Sequence, residues 1–125
     1  MLLAAFETTA DDGNAALFAD CEVWERHFAN EGVGATHEEL LAITRCGSYF
    51  LGAFDTLQFR NEGQCRLEAV SASIVIAQYL AYNRRIGVPD IYRGGPVWKV
   101  LDACHCGGQP ALPDDVCEAR SGAAP

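Results

Sequence analysis

The chain is poor in basic residues. Of its 125 residues, 9 are Lys or Arg whereas 17 are Asp or Glu, which leaves a formal net charge of -8 at pH 7. Such a surface repels nucleic-acid backbones and anionic membranes, so we expect no nucleic-acid partner. A long apolar run is also missing, because the longest charge-free apolar stretch, 69–82, falls short of the roughly 20 residues that a bilayer-spanning helix needs. We therefore predict no membrane insertion.

The motifs that catalysis usually requires are absent too. The sequence contains no G-x-S-x-G, P-loop, H-E-x-x-H or dinucleotide fingerprint. We interpret His27, His37 and His105 as packing or solvent-exposed residues, since none of them forms a recognisable catalytic group with another residue of the sequence. The helix dipole explains the acidic pair Glu38 and Glu39. We therefore predict a protein that is not an enzyme, with no catalytic residue, metal or cofactor.

Cysteine, in contrast, is abundant. An even and dense set of six indicates a disulfide framework in a secreted or periplasmic protein. The set comprises Cys21, Cys46, Cys65, Cys104, Cys106 and Cys117. A metal site is the alternative, but no pair has the C-x2-C spacing of zinc knuckles and Cys104-His105-Cys106 is too cramped to chelate. We expect a periplasmic localisation. No complete export signal is visible, because residues 1–6 lack a basic start and run into acid at Glu7. We expect that the signal has been removed, and a cytosolic chain is the alternative.

The periodicity of apolar residues predicts an all-α fold, a bundle of four or slightly more helices in one domain over 1–125. The predicted helices run from Asn14 to a break at Glu31, from the capping box Thr36-His37-Glu38-Glu39 to about Phe59, from Arg66 to about Arg84, and from Pro96 to Cys104. The third is apolar on nearly every side and should lie at the centre. Residues 1–13 should be frayed, and 107–125 should form an irregular tail.

Helix geometry suggests a disulfide pairing. We predict Cys21–Cys46, Cys65–Cys104 and Cys106–Cys117. The first pair lies at similar distances on either side of a hairpin turning near Gly34, and the second lies where the start of the third helix meets the end of the fourth. The third pair would pin the tail. Many other pairings are possible, and Cys106 could exchange roles with Cys104.

The segment between the third and fourth helices, Asn83 to Gly95, is rich in Gly and Pro and is predicted to be a loop. Its side chains combine the aromatic, apolar and guanidinium groups that are enriched in binding hot spots. The candidate partner-binding residues are Arg84, Arg85, Asp90, Ile91, Tyr92 and Arg93. The alternative is that this loop only connects two helices and that its arginines are solvated.

The segment from Cys46 to Asp55 is the most distinctive. Gly47 and Gly52 interrupt an otherwise apolar helix. Since a glycine costs about 1 kcal/mol relative to alanine in a helix, we expect another backbone to approach closely at Gly52. Tyr49 could bury its ring and direct its hydroxyl to a polar partner.

This segment resembles a helix of the Rap/Tai immunity proteins, which protect bacteria against amidase effectors of the type VI secretion system. The matching residues are Cys46, Tyr49, Gly52 and Asp55, followed by Cys65, Tyr79-Leu80 and Cys104 or Cys106, so the resemblance covers roughly 40–106. The chain departs from the family in three places. Ser48 replaces a glycine, no proline follows Cys65, and a Pro-rich tail with Cys117 is added.

The resemblance implies a periplasmic helical inhibitor that occludes the cleft of a peptidoglycan amidase with an inter-helix loop. On this chain the corresponding loop is Asn83 to Gly95. The partner would be the cognate amidase, and an acidic surface would suit a basic cell-wall enzyme; a homodimer is left open. The alternative is a small periplasmic disulfide-bonded chaperone or stress protein that holds clients on an exposed apolar surface. A third alternative is a cysteine-rich enzyme or metal carrier.

Overall fold

The structure, a computed structural model, describes residues 13–60, 63–68 and 70–120. In these ranges the chain forms five α-helices and no β-strand, which confirms the predicted all-α fold. The helices are α1 (Asn14–Phe28), α2 (His37–Arg60), α3 (Ala72–Ile86), α4 (Gly94–His105) and the short α5 (Asp114–Cys117). None of these five is long and apolar enough to cross a bilayer. The predicted fraying of 1–12 and the tail end, 121–125, lie outside the described residues.

α1 and α2 pack against each other around a glycine-containing turn. Gly32 and Gly34 adopt the left-handed conformation there, with φ of 83° and 88°, which glycine reaches without the penalty of a Cβ. The predicted capping box starts α2. The Thr36 N–H donates to Glu39 Oε1 (2.9 Å), and the Glu39 N–H donates to Thr36 Oγ1 (3.1 Å). These bonds satisfy amides that the start of a helix leaves unpaired.

α3 is the central helix, as predicted. It contacts each of the other four helices, and every side chain from Val75 to Leu80 is buried. The predicted start at Arg66 was wrong, because the helix begins at Ala72. Ser71 caps the helix there, because its hydroxyl oxygen accepts a hydrogen bond from the Ile74 N–H. A serine cap determines where a helix begins when the residues before it have weak helix propensity.

The core forms where α1, α2 and α4 meet α3. The Phe50 and Tyr79 rings meet edge to face, with centroids 5.1 Å apart. Burial of each large apolar side chain of this kind stabilises the fold by about 1.5–3 kcal/mol. The buried core cluster comprises Leu17, Phe18, Cys21, Cys46, Phe50, Val75, Ile76, Tyr79, Leu80, Val97 and Leu101.

All six cysteines are paired. The bridges are Cys21–Cys46, Cys65–Cys106 and Cys104–Cys117. The first confirms the hairpin argument, whereas the predicted Cys65–Cys104 and Cys106–Cys117 pairs were wrong. The alternative, in which Cys106 and Cys104 exchange roles, is the arrangement found. The Arg66 N–H donates to the His105 carbonyl (2.8 Å), so the chain after α2 runs beside the last residue of α4.

Two predicted boundaries at the C-terminal end were also wrong. α4 begins at Gly94, so Pro96 is its third residue; it still lies in the first turn, where its missing N–H has no helical partner. The tail is not wholly irregular, because it contains α5, whose Val116 is fully buried. The Gln78 amide nitrogen donates to the Cys117 carbonyl (2.7 Å) and fastens α5 to α3.

Candidate functional site

The predicted loop is shorter than expected. α3 continues through Arg84 and Arg85 to Ile86, so the connection to α4 comprises residues 87–93. Gly87 ends α3 in the left-handed conformation and donates its N–H to the Asn83 carbonyl (2.9 Å), the usual helix-ending role of glycine. The assignment of Arg84 and Arg85 to the loop was therefore wrong, because α3 extends past its predicted end near Arg84 and stops only at the Gly87 cap, after Ile86.

Both helical arginines make ion pairs within the protein. Arg84 donates to Glu25 Oε1 (2.8 Å) and lies 3.5 Å from Glu22 Oε2 on α1, and its guanidinium carbon is 5.8 Å from the centroid of the Phe18 ring. The hydrogen bond to Glu25 raises the pKa of Arg84. Arg85 pairs with Asp115 of α5 (3.1 Å). These arginines join helices to one another, although their side chains remain partly exposed.

The loop itself presents apolar side chains to solvent. Ile91 and Tyr92 are adjacent and are 52% and 77% exposed, and Asp90 beside them is also exposed. The Tyr92 ring packs over the Gly94 backbone so closely that a Cβ at Gly94 would collide with it. A Cβ at Gly95 would meet the Ile91 side chain at an ordinary 3.7 Å. The structure thus places four of the six predicted binding residues on one short loop.

Arg93 connects this loop to the family-like segment of α2, which is the segment from Cys46 to Asp55 that resembles a Rap/Tai helix. Its guanidinium carbon lies 4.3 Å from the centroid of the Tyr49 ring, within the range of a favourable cation–π contact. Tyr49 is half-buried, and burial raises the pKa of its hydroxyl, an effect that the nearby Arg93 charge opposes. The predicted burial of the Tyr49 ring is therefore partial, and the ring contacts both the core and Arg93 of the loop.

A buried polar cluster lies directly beneath the loop. Asn14, the first residue of α1, and Asn83 of α3 are both fully buried. The Asn14 amide nitrogen donates to Asn83 Oδ1 (2.7 Å) and to the Pro89 carbonyl (2.8 Å), and the Asn14 backbone N–H donates to the Ile91 carbonyl (2.8 Å). The Tyr79 hydroxyl donates to Asn14 Oδ1 (2.7 Å). Loop, α1 and α3 are thus joined at one point.

Sequence reasoning missed this cluster. Asn14 was recognised only as a helix start and Asn83 only as a loop start, and the two are 69 positions apart. The available signal was that each asparagine is a lone polar residue beside an apolar run. If such a residue is buried, its side-chain amide must find hydrogen-bond partners. Burial raises the pKa of the Tyr79 hydroxyl strongly, so Tyr79 stays protonated and donates to Asn14.

A shallow groove runs beside the loop between α2 and α4. It is lined by Ser48, Tyr49, Gly52, Ala53, Thr56 and Trp98 and has a volume of ≈ 380 Å³. The prediction that Gly52 meets another backbone was wrong, because a Cβ at this position would find no atom within 4 Å. Gly52 is exposed, as is Asp55, the last residue of the family-like motif.

The histidines lie outside this site. His27 borders a second cleft, and its Nε2 is 3.4 Å from Glu39 Oε1. His37 is exposed, whereas His105 Nε2 is 2.7 Å from Gln78 Oε1, and burial lowers the pKa of His105. In the described part of the chain no three His, Cys, Asp or Glu side chains are grouped to hold a metal ion.

Comparison with known proteins adds no relative. No family model, no curated protein and no solved structure matches this chain. The resemblance to the Rap/Tai proteins therefore stays a prediction, and the case for a function depends on the residues of the loop and its supports.

Proposed function

We propose that the protein is an immunity protein that binds and inhibits a peptidoglycan amidase effector of the type VI secretion system in the periplasm. The observation that carries the proposal is the exposed Ile91–Tyr92 pair on a loop whose backbone is hydrogen-bonded to buried Asn14. Apolar and aromatic side chains on a fixed backbone make favourable binding anchors, because little freedom is left to lose on association.

Three further features support the proposal. The three disulfides fit an oxidising compartment outside the cytoplasm. The net charge of -8 favours encounter with a basic partner. The contact of Arg93 with Tyr49 makes the loop and the family-like segment parts of one continuous surface.

Inhibition of this kind needs no chemical step in the inhibitor. The loop spans only residues 87–93 between two helices, so it can enter a concave cleft with Tyr92 leading, while α3 and α4 hold its ends. A cleft filled by Ile91 and Tyr92 excludes the peptide that the amidase would cleave. The expected partner therefore has an apolar cleft beside its catalytic residues.

The test measures binding to, and inhibition of, the amidase encoded next to this gene. Tyr92→Ala removes the most exposed loop side chain and leaves the backbone bridge between Gly13 and Tyr92 intact. If Tyr92 is a hot spot, its loss should cost about 2 kcal/mol, roughly a thirtyfold rise in Kd. Phe59→Ala is the matched control, since Phe59 is an aromatic residue that is 91% exposed on α2.

Each possible outcome of this test has a different consequence for the proposal. Loss of affinity with Tyr92→Ala but not with Phe59→Ala, with unchanged circular dichroism, supports the loop as the interface. If both variants bind the amidase as tightly as the wild type does, the interface lies elsewhere on the protein. Absence of wild-type binding and of inhibition in a peptidoglycan cleavage assay refutes the immunity function.

A disulfide-bonded periplasmic chaperone is the second candidate, and a specific observation favours it. Leu51 and Phe59 on α2 are 56% and 91% exposed, and exposed apolar side chains can hold unfolding clients. A chaperone should suppress aggregation of several reduced, denatured proteins and lose this effect with Phe59→Ala. The homodimer left open by the sequence stays a prediction that sedimentation velocity tests.

A further inference from the structure

We infer that Asn14 is the positioning residue that holds the 87–93 loop in its partner-binding conformation, although Asn14 itself is fully buried and cannot touch a partner. The inference rests on the proposed function, because it concerns the same loop. It assigns the control of the binding surface to the first residue of α1, which is far from the loop in sequence.

The hydrogen bonds of Asn14 fix its side chain in one orientation. Its Oδ1 accepts the Tyr79 hydroxyl (2.7 Å), so its Nδ2 must face the opposite way. Both hydrogens of Nδ2 are then used, one on Asn83 Oδ1 and one on the Pro89 carbonyl. Asn83 is itself held, since its Nδ2 donates to the Tyr79 carbonyl (2.9 Å). A buried network in which each member is satisfied specifies a single geometry.

Asn14 forms hydrogen bonds to the loop at two points that flank Asp90. Its side chain bonds the Pro89 carbonyl and its backbone N–H bonds the Ile91 carbonyl. With both carbonyls directed inwards, the intervening chain must turn outwards, and the exposed side chains of Ile91 and Tyr92 follow on its solvent side. The buried amide thus determines where the exposed pair points.

The loop needs this restraint because its backbone is strained at Val88. Val88 has φ of 52°, a left-handed conformation that is unfavourable for a β-branched residue. The Val88 N–H donates to the Asn83 carbonyl (3.0 Å), and its half-buried side chain packs against the core. If the bond from Asn14 to Pro89 is lost, relaxation at Val88 becomes favourable and the residues after it move.

Two nearly isosteric variants separate positioning from general stability. Asn14→Asp keeps the shape and the Oδ1 acceptor but replaces both Nδ2 donors with an oxygen that faces Asn83 Oδ1 and the Pro89 carbonyl. Tyr79→Phe removes the donor to Asn14 Oδ1 from the same cluster and leaves the two Nδ2 bonds in place. Both variants remove hydrogen bonds from one buried network, and the exchange of core amides measures the general loss of stability in each. A merely structural role predicts that loop exchange rises only in proportion to core exchange.

The experiment measures amide hydrogen exchange of the full chain and the Kd for the amidase encoded next to its gene. With Asn14→Asp, we expect exchange of the amides of Val88 and of residues 90–93 to rise by about tenfold or more and the affinity to fall by a similar factor, because a buried donor pair has been lost. With Tyr79→Phe, loop exchange and affinity should change by no more than about threefold. Amides of α3 from Val75 to Leu80 report whether the core is intact.

The results that would overturn the inference are specific. Equal changes of loop exchange and affinity in both variants, or no change with Asn14→Asp, would leave Asn14 as an ordinary buried residue. If Asn14→Asp does not fold, Asn14→Ala carries the same comparison without an added charge. If the wild type binds no amidase, the proposed function fails, and loop exchange alone decides whether Asn14 positions the loop.

Discussion

Replacement of Gly52 by alanine should stabilise the protein. Gly52 lies within α2 with no left-handed φ, and a Cβ at this position would find no atom within 4 Å. Alanine therefore gains the helix propensity that glycine lacks, about 0.5–1 kcal/mol, without a steric cost. For a domain of this size the melting temperature should rise by about 2–6 °C.

Thermal unfolding followed by circular dichroism measures this gain, and Gly34→Ala provides the matched control. A Cβ at Gly34 also meets no atom within 4 Å, but its φ of 88° is left-handed, so alanine there should destabilise by about 1–2 kcal/mol. A lower melting temperature for Gly52→Ala would refute the reasoning, because it would mean that Gly52 approaches another backbone after all.

Three further predictions test other parts of the structure. Gly94→Ala should displace the Tyr92 ring and weaken amidase binding measured by calorimetry, whereas Gly95→Ala should not; equal affinities would show that the ring position is irrelevant. Replacing Cys104 and Cys117 with serine should lower the free energy of unfolding in urea by about 3 kcal/mol, while mass spectrometry should still find Cys21–Cys46; an unchanged urea midpoint would contradict a structural role for this bridge. The backbone N–H of Thr36 holds the pKa of Glu39 below its ordinary value of 4.5, so the contribution of Glu39 to folding stability is present above that pH and is lost as the pH falls through the lower folded-state pKa. Glu39→Gln should therefore show less acid destabilisation than wild type in unfolding curves below pH 4.5. Identical curves for the two proteins would count against this prediction.

Local patterns in the sequence predicted local structure well. The capping box of Thr36 and Glu39 involves atoms only three residues apart, so the chain needs no tertiary information to form it. Cys21 and Cys46 were paired correctly because both positions are counted from one turn. The exposed Ile91 was also placed correctly on the loop, since it follows Gly87, which ends α3, and Pro89, which disfavours continuation of a helix.

Features that depend on distant contacts could not be predicted in this way. Cys104 lies in the last turn of α4, whereas Cys106 follows its last residue. Their spacing in the sequence does not show which of them faces Cys65, and only the packed structure does. The environment of Gly52 depends on whether another helix covers that side of α2. Propensity shows that a glycine is costly but does not show what lies beside it.

The arrangement of charge around the loop changes the nature of the expected interface. The sequence suggested arginines as binding anchors, yet Arg84 and Arg85 pair with acids of α1 and α5, and Arg93 lies on Tyr49. A guanidinium that already has a partner contributes less to a new interface, because the existing pair must be broken or shared. The most exposed loop groups that remain are Ile91, Tyr92 and the carboxylate of Asp90. An apolar tip flanked by one acid, on a protein of net charge -8, suits a cleft with apolar walls and a basic rim: the charge would speed encounter, and burial of the tip would set the lifetime of the complex.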